Sequence, residues 1–213
     1  MPRLRGRLRG PGHADRGTGQ SIVEFALILP LFIFILLGLI EFSFVFNAVL
    51  AAEHATRDAS LIAAEAGNAV DADCVILQKI DEDMTAPVDS QRVQEVWIYR
   101  ADNVGNPVGG SLDPWSAPTS QQYRRGGSTT CGSLSVPYTL SSAHYNPEDR
   151  CNILNGETCR LGQTGVDHVG VRLVYGYQAH TPMAMPFLGV VLQVRGDGFV
   201  ITKSNVMRME PVL

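Results

Sequence analysis

The stretch "GTGQSIVEFALILPLFIFILLGLIEF", residues 17–42, decides how the chain is read. It is oily enough to cross a membrane, yet it carries Glu24 near its start and Pro30 inside it. From Phe25 to Ile40, 16 positions carry no charge, and the uncharged run resumes past Glu41 through Ala52. At a rise of ~1.5 Å per residue, residues 22–46 reach roughly 36 Å, more than a hydrocarbon core of ~30 Å. Glu24 and Glu41 then fall ~25 Å apart, one near each interface, where a carboxylate can reach headgroups and water. The sequence predicts one transmembrane helix.

Charge orients that helix. The chain has 213 residues, 45% hydrophobic and 18% charged, with a formal net charge of -4. Before the oily run stand Arg3, Arg5, Arg7, Arg9 and Arg16, opposed only by Asp15; after Glu41 come 12 Lys/Arg and 18 Asp/Glu. Short basic flanks are retained in the cytoplasm, so the N-terminus is expected inside and the C-terminal body outside. A mildly acidic body lacks the basic face of a nucleic-acid binder. The Arg-rich leader reads as a retention signal.

Three regions follow. Residues 1–19 form a basic cytoplasmic leader, Arg/Gly-rich and expected to be disordered. Residues 20–66 form a transmembrane helix that continues outside the membrane. Ala52, Ala55, Ala59, Ile62, Ala63 and Ala66 recur at three- and four-residue steps, with Glu53, Arg57, Asp58 and Glu65 elsewhere on the wheel. Glu53 and Arg57 are spaced as a favourable pair, and Gly67-Asn68 ends the helix. Residues 67–213 form an extracytoplasmic α+β head. In it, about 71–84 reads as a second helix stopped by Pro87, and 92–101, "RVQEVWIYRA", as a strand. In "DHVGVRLVYGYQAH", Val169, Val171, Leu173, Tyr175 and Tyr177 alternate with Gly170, Arg172, Val174 and Gly176, the period of a strand. "PMAMPFLG", 182–189, reads as a Pro-punctuated connection, and 198–209 as a last strand. Between these, residues 102–165 have 14 Gly or Pro among 64 positions and read as a loop-rich excursion. The expected fold class is α+β: a long N-terminal helix, then a small antiparallel sheet of three strands with a helix against one face.

Cys74, Cys131, Cys151 and Cys159 all follow the span. An even number on an extracytoplasmic side favours disulfides that pin the excursion. Four cysteines allow three pairings; the preferred one joins Cys151 to Cys159 and Cys74 to Cys131. Zinc is disfavoured, because there is no C-x-x-C and neither His144 nor His168 has ligand-like spacing to the cysteines.

Glu24 and Pro30 have an explanation. Gly19 precedes Gln20, and Glu24 is fifth counting from Gln20. A basic leader, a Gly, then a glutamate five positions on, heading an oily helix, is the pattern of type IV pilin-like precursors. Cleavage after Gly19 would create a cationic amine on Gln20. A lone carboxylate in lipid costs a few kcal/mol or more. Pairing Glu24 of one subunit with the amine of its neighbour would offset that and fix the axial register. Pro30 cannot donate to the Ala26 carbonyl, which gives the helix a soft point.

The motif residues Gly19, Gln20, Glu24-Phe25-Ala26-Leu27, Pro30, Gly38 and Glu41-Phe42 resemble the N-terminal signature of TadE-like pseudopilins, minor components of the Tad (tight adherence, Flp pilus) machinery. "AAEHATRDASLIAAEAG" is similar to the helix such proteins carry after the span, and "SNVMRMEP" to their ending. The resemblance covers roughly residues 16–66. It implies a prepilin peptidase that cuts between Gly19 and Gln20. It also implies assembly through Glu24, Phe25 and Pro30 with other pilin-like subunits and an inner pilus assembly platform. The location it implies is a bacterial cell membrane, crossed once.

No catalytic motif stands beside this. There is no G-x-S-x-G before a helix, no H-E-x-x-H and no phosphate-cradling loop. "RGGSTTCGSLS", 125–135, reads as a mobile loop, and "DEDM", 81–84, as a solvated acidic face rather than a calcium loop. Trp97, Tyr99, Tyr175 and Tyr177 read as sheet core. Neither an enzyme nor a cofactor is expected. "VLAA", 49–52, is faintly like a signal-peptidase site, but the oily run is too long for a signal peptide. The alternative function is a single-pass anchored binding module whose head recognises a surface ligand without assembling.

Overall fold

The computed structural model describes residues 18–86, 88–154, 158–160, 162–180 and 198–211. Most of the leader, the expected helix stop at Pro87 and the 182–189 connection lie outside them. The described elements are α1 (Thr18–Ala66), α2 (Ala72–Asp83), β1 (Val93–Ala101), β2 (Ser120–Cys131), β3 (Leu134–Ala143), β4 (His168–Gln178) and β5 (Gly198–Arg208). The chain divides into two units, Met1–Phe42 and Ser43–Leu213.

In the first unit, α1 turns its apolar side chains outward on every side. Phe25 is 62% exposed and Leu27 75%. A helix that is apolar all round is stable only in apolar surroundings. Among the described residues, α1 is the one helix long and apolar enough to cross a membrane. Pro30 lies inside it, and the helix continues through.

In the second unit, α1 becomes one-sided. Ala48, Ala52, Ala55, Ala59 and Ala63 are buried, with Thr56 and Ser60 beside them. Small side chains let a helix backbone lie close to a sheet. The two hydroxyls stay satisfied there: Thr56 Oγ1 donates to the Ala52 carbonyl at 2.9 Å, and Ser60 Oγ donates to Asn205 Oδ1 of β5 at 3.1 Å. Ile62 and Ala66, expected on this face, lie at its margin and are only partly buried. The expected Glu53–Arg57 pair gives way to one across the fold. Glu53 Oε2 accepts from Lys203 Nζ at 3.1 Å. The helix stops at Gly67, whose φ of 60° suits glycine and whose N–H reaches the Ala63 carbonyl.

The sheet has five strands in the order β3-β2-β1-β4-β5, all neighbours antiparallel. β4 and β5 pair without a break from His168↔Arg208 to Gln178↔Gly198. On the helix side, Val96, Ile98, Val171, Leu173 and Tyr175 join the alanines of α1 and Ile76, Leu77 and Ile80 of α2 in one core. Tyr99, Tyr175 and Tyr177 are buried as expected, whereas Trp97 is half-buried on the opposite face. There Trp115 packs edge-on against Trp97 and Tyr99, with ring centroids 5.6 and 5.3 Å away, and Arg172 lies 4.0 Å over the Trp115 ring.

The 102–165 region departs from the loop-rich reading. It holds β2, the longest strand, and β3, so the sheet has five strands instead of three. "RGGSTTCGSLS" is not a mobile loop but the end of β2, a two-residue turn at Gly132-Ser133 and the start of β3, with Cys131 opposite Leu134. The glycines there serve a bulge: the register shifts between Arg125 and Thr129, and Gly127 has φ 85° with no room for a Cβ, which would fall 2.2 Å from Thr139 Oγ1. Residues 102–119 and most of 144–167 are irregular.

Candidate functional site: the N-terminal helix and its stapled head

The residues expected to act in processing and assembly lie on the first turns of α1. The helix begins at Thr18, so the Gly19–Gln20 bond is in its first turn. A Cβ built on Gly19 would meet nothing within 4 Å. One turn along, Gln20 Nε2 donates to Glu24 Oε1 at 3.1 Å, and both side chains are exposed. Positions 20 and 24 share one helix face, because four residues advance ~400° around the axis. Phe25 lies about 100° from Glu24 and Pro30 about 240°, so the three residues expected to act together in assembly do not form one patch. The structure brings together Gln20 and Glu24 and leaves Phe25 and Pro30 on separate exposed faces.

Two disulfides staple the head. Cys74 of α2 joins Cys131 at the end of β2, 57 positions apart, and Cys151 joins Cys159 across 8. These are the pairs preferred from the sequence. The first fastens α2 to the β2–β3 hairpin, and the second closes the irregular segment before β4.

Sequence reasoning missed the buried charges beside these staples. Asp73 and Arg150 form an ion pair with both side chains almost wholly buried. Tyr123 Oη donates to the same carboxylate at 2.7 Å. Burial, then the adjacent Asp73, pushes the Tyr123 phenol far above its usual range. A second cluster sits at Asp167. It accepts from Arg100 Nε at 2.9 Å, from Tyr145 Oη at 3.0 Å and from the Cys151 N–H at 3.1 Å. Burial first, and Asp167 second, hold the Tyr145 phenol well above its usual value.

The acids of "DEDM" are not a solvated face. Asp81 pairs with Arg125 of β2 and accepts from Tyr138 Oη of β3 at 2.7 Å, while Asp83 accepts from Lys79 Nζ at 2.7 Å. Burial and the Asp81 contact raise the Tyr138 phenol. Only Glu82 of the three remains exposed. Among the described residues, no group of three His, Cys, Asp or Glu is placed to hold a metal ion. These charges anchor α2 and the loops to the sheet.

The family model described as TadE-like protein matches residues 19–61. Comparison with curated proteins and with solved structures returned no match. The matched segment contains Gln20, Glu24, Phe25, Pro30 and most of the alanine face of α1, and it ends before the cysteines and the sheet. The chain therefore carries a TadE-like N-terminal segment, from Gly19 through the exposed apolar part of α1 into its alanine-faced half.

Proposed function

We propose that the chain is a minor pilin-like subunit of a Tad/Flp-type pilus assembly system, held in the membrane by α1 and trimmed after Gly19 by a prepilin peptidase. Its role is structural, and no reaction is assigned to it. Its partners are other pilin-like subunits and the assembly platform. The head faces the extracytoplasmic side, opposite the basic leader.

The observation that carries this reading is the Gln20–Glu24 contact at the head of a TadE-like helix. The Gly19–Gln20 bond lies in the first helical turn, where backbone N–H groups have no intrahelical acceptor and unwinding is cheap. Cutting there turns Gln20 nitrogen into an ammonium group one turn from Glu24. In a bundle of such helices, that ammonium group and the Glu24 carboxylate of a neighbour neutralise each other at the edge of the bilayer. Apolar contacts alone would let the helices slide; an ion pair at one level fixes their stagger.

Intact mass and N-terminal sequencing of protein extracted from native membranes test this. A chain starting at Gln20 with a free or methylated amine supports the reading; a cyclised Gln20 supports the cleavage but leaves no ammonium group for Glu24. A chain starting at Met1 or Pro2 replaces it with an anchored binding module that does not assemble.

A further inference from the structure

Cleavage after Gly19 would give the chain a glutamine at its new start, and an N-terminal glutamine reacts with itself. Its free amine attacks its own side-chain carbonyl. A bond forms between the Gln20 nitrogen and Cδ, the bond from Cδ to Nε2 breaks, and Nε2 leaves as ammonia with a proton from the amine. No oxidant or further reactant takes part. The product is a neutral lactam, and the ammonium group that would face a neighbour's Glu24 is gone. While the leader is attached, the same nitrogen belongs to a peptide bond and does not attack.

The contact at the start of α1 opposes that reaction. Gln20 Nε2 donates to Glu24 Oε1 at 3.1 Å. Ring closure requires Cδ to fold back against the nitrogen of its own residue, whereas Glu24 lies four residues toward the C-terminus, ~6 Å along the helix axis. The hydrogen bond therefore draws the carboxamide away from its own amine, and it does so through Nε2, the atom that has to leave. Within α1, the positions that face residue 20 from the C-terminal side are 23 and 24. Val23 has no side-chain acceptor, so Glu24 is the residue placed to hold Gln20. Its acceptor is a carboxylate, which makes a stronger hydrogen bond than a neutral group. A carboxylate also has two oxygens, so Oε1 can keep the Gln20 amide while Oε2 takes the ammonium group of another subunit.

We infer that Glu24 protects the new N-terminus: by holding the Gln20 carboxamide one helical turn away, it slows cyclisation of Gln20 and preserves the amine for assembly. This rests on the proposed cleavage after Gly19. Glu24 acts here as a positioning residue for the Gln20 side chain, in addition to its pairing with a neighbour.

The test exposes Gln20 without the prepilin peptidase. The full chain is made with the residues before Gln20 replaced by a leader that a site-specific protease removes, and is reconstituted in phospholipid vesicles. Intact mass is followed over time after removal, and cyclisation is read as the loss of one ammonia. Glu24→Ala is expected to cyclise about twofold faster than the unaltered chain, the scale of one contact between residues four apart on a helix. Glu24→Gln, whose side-chain carbonyl still accepts from Gln20, is expected to stay near the unaltered rate. Equal or slower cyclisation in Glu24→Ala overturns the inference. Glu24→Gln as fast as Glu24→Ala also overturns it, because the charge rather than the hold on the carboxamide is then what matters. The proposed cleavage fails separately, on native protein that starts at Met1 or Pro2, whatever these rates are.

Discussion

The carboxylate of Asp73, one position before Cys74, binds the guanidinium of Arg150, one position before Cys151. The ion pair therefore ties together the starting points of both disulfides in the interior of the head. Arg150 is wholly buried, and its Nε and one Nη have no protein hydrogen-bond partner. Such a site tolerates loss of one partner poorly.

Arg150→Ala leaves Asp73 buried, with the Tyr123 hydroxyl as its remaining side-chain donor. Breaking a buried pair in this way costs about 3–5 kcal/mol. Urea unfolding of the detergent-solubilised chain, followed by the fluorescence of Trp97 and Trp115, measures it. The double variant Asp73→Leu/Arg150→Met is expected to lose less than Arg150→Ala, because no charge is left stranded. A double variant less stable than the single one contradicts this account.

The two disulfides should differ in worth. Chain-entropy arguments give about 4 kcal/mol for closing the Cys74–Cys131 loop and about 2.5 kcal/mol for Cys151–Cys159. Replacing both cysteines of a pair with alanine, one pair at a time, should show the larger drop in unfolding midpoint for the 57-position bridge. Equal drops would mean that local packing outweighs loop entropy here.

Alkaline pH should unfold the head. Tyr123, Tyr138 and Tyr145 all have phenols raised above the usual value by burial and a neighbouring carboxylate. As pH passes ~10, the unfolded chain releases these protons first, which draws the equilibrium toward it. The stability these groups contribute is full below that pH and falls as pH rises toward their folded values. Guanidinium midpoints measured across this range should decline, and Tyr138→Phe should make the decline shallower. An unchanged slope in that variant would remove Tyr138 from the explanation.

Glu24→Ala should leave membrane insertion intact, since it makes the span more apolar, and should reduce recovery of partner subunits in co-purification. Glu24→Gln keeps a hydrogen bond to Gln20 within reach but not a charge, and so should fail in assembly as well. Normal partner recovery with Glu24→Ala would remove the ammonium–carboxylate pairing from the account.

Much of this architecture could be read from residue patterns. The oily run and the alanine spacing located α1, alternation located β4, and 198–209 was read as the last strand, close to β5. Beta-branched and aromatic residues located β1. β2 and β3 escaped because their alternation is carried by few apolar groups. In β2, "SQQYRRGGSTTC" offers Tyr123 as its one large core side chain, and in β3 Val136 and Tyr138 flank Pro137. Glycines that signal a loop by composition sit here in a bulge. The Asp73–Arg150 pair was invisible for another reason: its members are 77 positions apart, and each alone resembles an ordinary surface charge. At the N-terminus, the sequence reading paired Glu24 with the amine of a neighbouring subunit, and the contact between the Gln20 side chain and Glu24 within one helix was not foreseen.

The middle place of β1 in the sheet sets the order in which the head can be completed. Its two edges are filled by β2 and β4, both later in the chain, and residues 102–167 must be drawn into a closed loop before β4 can dock. Only the β2–β3 hairpin forms through short-range closure. Long-range closures of this kind slow folding. As the chain folds from its N-terminal end, β1 has both edges bare until the later strands arrive, which makes that interval the head's period of greatest exposure to aggregation and proteolysis.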